Sequence, residues 1–438
     1  MKTLGLDIGT TTISAVILEN NSVSDSLTVP NDSHLTGDSW ESLQDPNIIR
    51  ATALNTVESL LKKHANVVSI GVTGQMHGIL YLDAKGNPVS PLYTWQDGRG
   101  EQLREDGKTW AKWLSETTGY TLATGFGLVT HTYNAYHGLV PKEAVVFCTI
   151  ADYLAMTLSG RSAPAIDPTN AASLGVYDRQ RGDFDREALE RAGLDCTLLP
   201  LPARKPILGV GTCGLPVATA LGDNQASFLG CVGNSTDTLL VNMGTSGQIS
   251  VFSPVYLETE ALETRPFPDG GWLLVGASLA GGQSYALLER FFRQVVEMVH
   301  GHCDNVYDAM RRALDQAGPV KNPLHADTTF LGTRKNPGCR GAITQIGTDN
   351  LTPVHMMYSI MHGMAQELHT MFRSYLDANG TVPSKMMGSG NALQKNPYLC
   401  RIFEETFGYP MSLSTKNEEA ACGAAAYAAT HTRSCSES

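Results

Sequence analysis

No stretch of this chain approaches the roughly 18 consecutive apolar residues that span a bilayer, and Met1-Lys2-Thr3-Leu4-Gly5-Leu6-Asp7 reaches an acid before any apolar run of signal length. Membrane spanning and export are therefore not expected. The nine cysteines are odd in number and contain no C-x-x-C pair, which disfavours a disulfide frame or a zinc site and points to reduced thiols in the cytoplasm. An excess of basic charge is also missing: 32 Lys and Arg stand against 43 Asp and Glu, a formal charge of -11, so the electrostatic footprint of a nucleic-acid binder is lacking.

Three catalytic signatures are absent as well. There is no G-x-x-x-x-G-K-[ST] phosphate loop, no H-E-x-x-H metal helix and no G-x-S-x-G nucleophile turn. His362 and His369 are spaced as a helix stripe rather than as metal ligands. Gly209-Val210-Gly211-Thr212-Cys213-Gly214 matches the letters of a dinucleotide fingerprint, but it follows a proline-rich stretch and Pro216 would break the helix it should open, so it reads as a loop.

What is present is a globular composition, with 42% apolar and 17% charged residues and 43 Gly in 438 residues, enough for two large domains. A small-molecule ligand follows. An anionic one would need local backbone donors or Mg²⁺, because the mean field of the chain repels it.

The informative feature is an internal echo. Leu4 to Ile17 reads as a strand, a Gly9-Thr10-Thr11-Thr12 turn and a second strand; Leu239 to Phe252 repeats that layout around Gly244-Thr245-Ser246-Gly247. Asp7 and Asn242 hold matching places. Ser22 to Leu27 reads as a third strand, Asp45 to His64 as an amphipathic helix and Val67 to Val72 as a further strand; later, Trp272 to Val275 reads as a strand and Gly282 to Val299 as a long helix. Alternating strands and helices in both halves predict two α/β domains with a cleft between them. The proline-rich Leu198 to Pro206 precedes the boundary, giving residues 1–218 as the first domain, 219–430 as the second and 431–438 as a frayed tail.

The turns supply chemistry. Backbone amides of a tight Gly-Thr turn converge on one point, so Gly9 to Thr12 and Gly244 to Ser246 could each cradle phosphate, with Asp7 orienting Mg²⁺. A third cluster, Gly388-Ser389-Gly390-Asn391, precedes a helix expected over Leu393 to Phe407 and could pass close to a ring or phosphate. Each such turn could equally be ordinary left-handed backbone; three in series favour a nucleotide.

Asp223, at the glycine turn Leu221-Gly222-Asp223, is expected at the start of a helix beginning near Gln225. It is either a helix cap or a base that accepts the proton of an attacking hydroxyl. Gln75-Met76-His77 and Trp95, Asp97 and Arg99 offer the paired donors, acceptors and apolar platform that a polyol needs, although His77 and Trp95 taken singly would suit a core.

With these residues in view, the chain resembles the FGGY carbohydrate kinases from Asp7-Ile8-Gly9-Thr10-Thr11 through Gly423-Ala424-Ala425, and within them the sedoheptulokinase subgroup. The subgroup signal lies in Gly74-Gln75-Met76-His77-Gly78, Thr94-Trp95-Gln96-Asp97-Gly98-Arg99, Thr124-Gly125-Phe126-Gly127 and Asn170-Ala171-Ala172-Ser173; xylulokinases usually carry Asn where Gln96 stands. The segment Thr130 to His137 lacks the Lys and Trp of the usual family signature.

The resemblance implies two actin-like ATPase (ribonuclease H-like) domains and ATP-dependent phosphorylation of a ketose at its terminal primary hydroxyl, sedoheptulose first and xylulose or another polyol as the alternative. It implies Asp223 as the base, and Asp7 and Asp223 as the carboxylates nearest Mg²⁺. Met76, His77, Asp97 and Asn224 would line the sugar pocket. ATP would meet Thr10, Thr11, Gly244, Thr245, Gly388 and Asn391, with Gly281 and Gly282 near the nucleotide. A homodimer is compatible with the sequence. From another class, a nucleotide-switch ATPase of the actin or heat-shock type, or a non-catalytic sugar sensor, would share the hairpins.

Overall fold

A computed structural model of the chain describes all residues except Asn234, Thr236, Arg334, Lys335, Pro337, Glu437 and Ser438, and, of residues 434–436, the backbone. The elements that matter to the site are, in chain order, β1 (Lys2–Ile8), β2 (Thr12–Glu19), β3 (Ser22–Pro30), α1 (Pro46–Lys63), β4 (Val67–Gly74), α2 (Ile150–Leu158), α3 (Pro168–Leu174), β5 (Ile207–Val210), β6 (Pro216–Ala218), β7 (Leu221–Gly222) and α4 (Asp223–Val232). They continue with β8 (Thr238–Met243), β9 (Gly247–Ser253), β10 (Trp272–Ser278), α5 (Gly281–His300), α6 (Pro353–Asp377), β11 (Lys385–Ser389), α7 (Asn391–Lys395), α8 (Pro397–Phe407), β12 (Met411–Leu413) and α9 (Glu419–Ser436).

Contacts divide the chain into two compact units. The first is Met1–Asn234 with Pro266–Gly270 and Lys416–Ser438; the second is Ser235–Arg265 with Gly271–Thr415. These units do not coincide with a linear division at 218/219. β5 and β6 after the proline-rich stretch add to the first unit's sheet, Asp223 and α4 stay with that unit, and the chain returns to it at Lys416. The Gly209 segment is accordingly the end of β5 followed by a turn, with β5 and β6 pairing as a hairpin around it. The expected frayed tail is helical through Ser436, as part of α9, while Glu437 and Ser438 lie outside the described residues.

The first unit's sheet runs β5-β6-β4-β1-β2-β3, with β7 also pairing on β4. Strand alternation sorts β1 into two faces. Leu4, Leu6 and Ile8, all fully buried, join Ile49, Ala53, Val57 and Leu60 of α1 and Ala151, Leu154 and Ala155 of α2 in one core. Each leucine, isoleucine or valine among them contributes roughly 1.5–3 kcal/mol by burial. The α1 helix forms where Asp45 accepts the backbone N–H of Asn47, Pro46 occupies the first turn, and Lys62 and Lys63 sit in the last.

Gly5 and Asp7 point to the opposite face, against which α9 lies. That helix approaches backbone to backbone: a Cβ at Gly5 would fall 1.9 Å from the Ala421 carbonyl, and one at Gly423 would fall 1.7 Å from the Ala226 carbonyl of α4. Any larger residue at either position would push the helix off the sheet.

The second unit repeats the plan. β8 pairs antiparallel with β9 and parallel with β11, as β1 pairs antiparallel with β2 and parallel with β4. Asp7 lies opposite Thr73, and Asn242 lies opposite Ser389, so the two hairpins hold corresponding places beside corresponding hydroxyl residues. Leu239, Val241 and Met243 face a core shared with Met357, Met361, Met364 and Leu368 of α6. The helix expected over Leu393 to Phe407 is two helices, α7 and α8, because Pro397 has no N–H to continue the first and the Asn396 side chain caps the second through the N–H groups of Tyr398 and Leu399.

Candidate active site

Strand β1 ends in the turn Gly9 to Thr11, closed by the Gly9 N–H donating to the Thr12 carbonyl at 2.9 Å. Three side chains brace it from outside. Asn31 Nδ2 donates to the Gly9 carbonyl at 2.9 Å, Gln44 Nε2 to the Thr10 carbonyl at 2.8 Å, and the Trp95 indole N–H to Thr10 Oγ1 at 3.1 Å. Thr11 and Thr12 remain exposed. The turn is held rigid while its hydroxyl-bearing rim faces solvent, as a phosphate cradle requires.

Asp7 projects from the same strand end onto the α9 face. Burial pushes its carboxyl up to about 7 from an ordinary value near 4, and the negative charges of Asp223 and Glu418 push in the same direction. Asp7 thus feels two further acids. Glu418 was not foreseen from sequence; it sits just before α9 with a left-handed φ of 59° and accepts the Thr28 hydroxyl at 2.9 Å.

Asp223 is the first residue of α4, two positions earlier than the expected start, and Gly222 is the cap. The helix-cap alternative therefore does not describe it. Asn224 Nδ2 donates to Asp223 Oδ1 at 3.1 Å, which places the predicted sugar residue Asn224 beside the predicted base.

The residues expected to meet sugar divide into two sets. His77 has a left-handed φ of 73°, its Nδ1 donates to the Ser173 carbonyl at 2.7 Å, and its ring packs against Phe126 with centroids 4.6 Å apart. With Nδ1 carrying the proton, Nε2 of the neutral ring is an acceptor. Met76 is buried, its sulfur 2.9 Å from where a Cβ on Gly222 would stand, so it packs directly under the approach to Asp223. Trp95 is 46% exposed and offers an open aromatic face. Met76, His77, Trp95 and Asn224 make up the first set.

Asp97, Arg99 and Gln75 are disposed as braces. Asp97 and Arg99 are buried and paired at 3.5 Å, with Arg99 also bonded to Glu41 and its guanidinium 4.2 Å over the Tyr93 ring. Asp97 accepts the Ser42 and Arg99 N–H groups, and burial raises its carboxyl above the ordinary range while Arg99 pulls it back. Gln75 donates to Gln44 at 2.9 Å, linking the sugar motif to the Gly-Thr turn, and its Oε1 is a buried acceptor with no partner among the described residues.

In the second unit, three glycine-containing segments, around Gly244, Gly281 and Gly390, lie together. The Gly244 N–H donates to the Ser246 carbonyl, and the first turn of α5 closes on that turn, with Gly282 N–H to the Gly244 carbonyl at 2.9 Å and Gln283 N–H to the Thr245 carbonyl at 3.1 Å. A Cβ on Gly281 would fall 2.2 Å from the backbone of Ser246. Gly390 has φ 87°, and a Cβ there would fall 2.6 Å from the Met243 carbonyl. Asn391 opens α7 beside it, and Ser389 Oγ is buried without a partner among the described residues. Two helix N-termini thus flank the Thr245 turn, an arrangement suited to anions. Gly388 differs: it packs on Met411 and Leu413 of β12 and shapes the strand rather than the cradle.

Comparison with known proteins gives this geometry its context. Residues 2–239 match the N-terminal domain, and residues 239–432 the C-terminal domain, of the FGGY family of carbohydrate kinases. The chain is 30% identical to the sedoheptulokinase of Mus musculus, covering 97% of this chain and 96% of that protein. It is 24% identical to the xylulose kinase of Staphylococcus xylosus, covering 97% and 90%. In fold it is similar to the crystal structure of xylulose kinase from Rhodospirillum rubrum, with a TM-score of 0.84 over 98% of this chain and 89% of that one at 19% identity. The likeness shows a shared two-domain actin-like, ribonuclease H-like α/β architecture.

Proposed function

The chain belongs to the FGGY family of carbohydrate kinases, and from that premise we propose that it transfers the γ-phosphoryl group of ATP to the terminal primary hydroxyl of a ketose, sedoheptulose, giving sedoheptulose 7-phosphate. The first unit is the sugar side and the second the nucleotide side. The observation that carries this reading is the electrostatic convergence of Asp7 and Asp223 at the end of the Gly-Thr hairpin, behind a turn whose rim is open. The substrate preference is supported by the 30% identity to a sedoheptulokinase across nearly the whole of both chains and by Gln96 in the Trp-Gln-Asp-Gly-Arg segment.

Phosphoryl transfer asks a protein chiefly to position groups and stabilise charge. Asp223 accepts the proton of the attacking hydroxyl, and Asn224 at its side contributes an amide to the same sugar. His77 offers Nε2 as an acceptor for a ketose hydroxyl, while the open ring of Trp95 lies under the apolar face of the carbon chain. Thr10 and Thr11 are the hydroxyls that the first unit offers to phosphate, and Thr245 and Ser246 those that the second unit offers.

The carboxylates fit a divalent cation, because Asp7 is held near pH 7 by burial and by two neighbouring acids and would be relieved by positive charge. Among the described residues no group of three or more His, Cys, Asp and Glu could hold a metal ion by itself. That suits Mg²⁺, which takes one or two carboxylates and completes its shell with water and substrate phosphates. Asp7 and Asp223 would hold it, and when bound it supplies neutralisation of phosphate charge. We place the enzyme in the cytoplasm, in keeping with an odd number of cysteines that form no C-x-x-C pair.

Purified chain with ATP, Mg²⁺ and a panel of sedoheptulose, xylulose and ribulose, assayed for ADP, tests the substrate. Sedoheptulose should give the highest kcat/KM; a nucleotide switch would ignore every sugar. Asp223→Ala should bind ATP normally and lose about 10²–10⁴-fold in kcat. Near-normal turnover by that variant would remove Asp223 as base.

A further inference from the structure

Asp223 follows a strand of only two residues, and its helix begins at a glycine that has no side chain to cap it. Where the carboxylate points therefore also depends on the backbone that precedes it. The three residues before it each have one backbone polar group held by a buried side chain from elsewhere in the first unit. The Ala220 carbonyl accepts Asn170 Nδ2 at 3.2 Å, the Leu221 carbonyl accepts the Thr73 hydroxyl at 2.9 Å, and the Gly222 N–H donates to Thr169 Oγ1 at 3.1 Å. All three side chains are at most 1% exposed.

Each is itself anchored. Thr169 gives its hydroxyl proton to Asp167 Oδ1 at 2.7 Å, so its lone pair is left facing the Gly222 N–H. Asn170 Nδ2 also donates to Asp152 Oδ1 at 3.3 Å, and Asp152 is locked in a capping box with Thr149. Thr73 lies in the centre of the sheet, in register with Leu221 and Asp7. Helix α3, which carries Thr169 and Asn170 at its start, carries Ser173 near its end, where the Ser173 carbonyl takes the His77 ring proton and its hydroxyl takes the His77 N–H at 3.3 Å.

We propose that Thr73, Thr169 and Asn170 are positioning residues that aim Asp223 through the backbone of Ala220 to Gly222, and that α3 sets the spacing between Asp223 and His77. The proposal rests on the reading of Asp223 as general base. A misplacement of about 1 Å at a reacting group can cost 10²-fold in rate. Loss of one pinning bond should therefore appear in kcat rather than in KM.

Thr169→Val keeps the shape and deletes the acceptor; Thr169→Ser keeps the acceptor. Turnover of sedoheptulose with ATP and Mg²⁺ is measured per site counted by ADP binding, so that any unfolded fraction drops out. Thr169→Val should lower kcat by about 10–100-fold with KM for sedoheptulose within about twofold, and Thr169→Ser should return most of the loss. Thr73→Val, a substitution that suits a central strand, should lower kcat in the same way. On an Asp223→Asn background Thr169→Val should add no further loss.

Parent-like kcat in both valine variants, or a loss that persists undiminished on the Asp223→Asn background, would overturn the proposal. Normal turnover by Asp223→Asn alone would instead remove the base assignment first, and the positioning role with it.

Discussion

The indole N–H of Trp95 donates to the hydroxyl of Thr10 across 3.1 Å. An exposed aromatic ring is thereby tied to the Gly-Thr turn of the first unit, and the proposed function makes that tie testable.

Replacing that indole by a smaller ring tests the tie. Trp95→Phe preserves an aromatic face and deletes the bond, which is worth about 1 kcal/mol, or roughly fivefold in an equilibrium constant. KM for ATP should rise by about that factor in initial-rate assays at saturating sedoheptulose. A change confined to the sugar KM would assign Trp95 to the sugar alone.

Asp7 predicts a pH dependence in the ligand-free protein. Its carboxyl is raised from 3.8 to about 7 in the fold, so the folded state binds this proton more tightly than the unfolded chain does. Its contribution to stability is fully present below about pH 4, declines as pH rises toward 7 and stays lost above that. Asp7→Asn should therefore raise Tm by several degrees at pH 8, with the advantage shrinking to nothing near pH 4. Thermal unfolding followed by circular dichroism across that range decides it, and a pH-independent difference would contradict the assignment of the shift to Asp7.

Arg99 should reveal itself as a structural residue. Its guanidinium is 3% exposed, stacks on Tyr93 and bonds Glu41 and Asp97, a geometry that the point charge of lysine cannot reproduce. Arg99→Lys should cost about 3 kcal/mol in urea unfolding. The residual folded enzyme should keep its sugar KM; a raised KM at unchanged stability would restore Arg99 to the sugar contacts.

The features legible in the sequence are the local ones. Both hairpins, α1 and β4 followed from hydrophobic periodicity and glycine turns within a few residues, and both hairpins form with Asp7 and Asn242 in corresponding places. Asp223 was visible as an acid at a helix start, but the half to which it belongs was not, because β6 and β7 join the first sheet through pairings with β4 more than a hundred residues away, with β5 paired on β6. Asp97 and Arg99 drew attention as polar groups in a sugar motif; only their enclosure by Glu41, Tyr93 and Ser42 shows that they spend their bonds within the protein. Glu418 carried no signal at all, since nothing in Asn417-Glu418-Glu419 indicates that α9 lies on the face of β1 that bears Asp7.

That last helix also sets a timetable. The β1–β4 sheet has one face covered by α1 and α2 as soon as they are made, while the other waits for a partner encoded roughly 200 residues after α4. At about 5–20 residues per second, the ribosome leaves Gly5, Gly71 and the inner side of α4 without that cover for on the order of ten to forty seconds. The newborn first unit is thus a sheet with one bare side during synthesis of the whole second unit, and it is in that interval, rather than in the finished molecule, that it is most open to capture by chaperones or to aggregation.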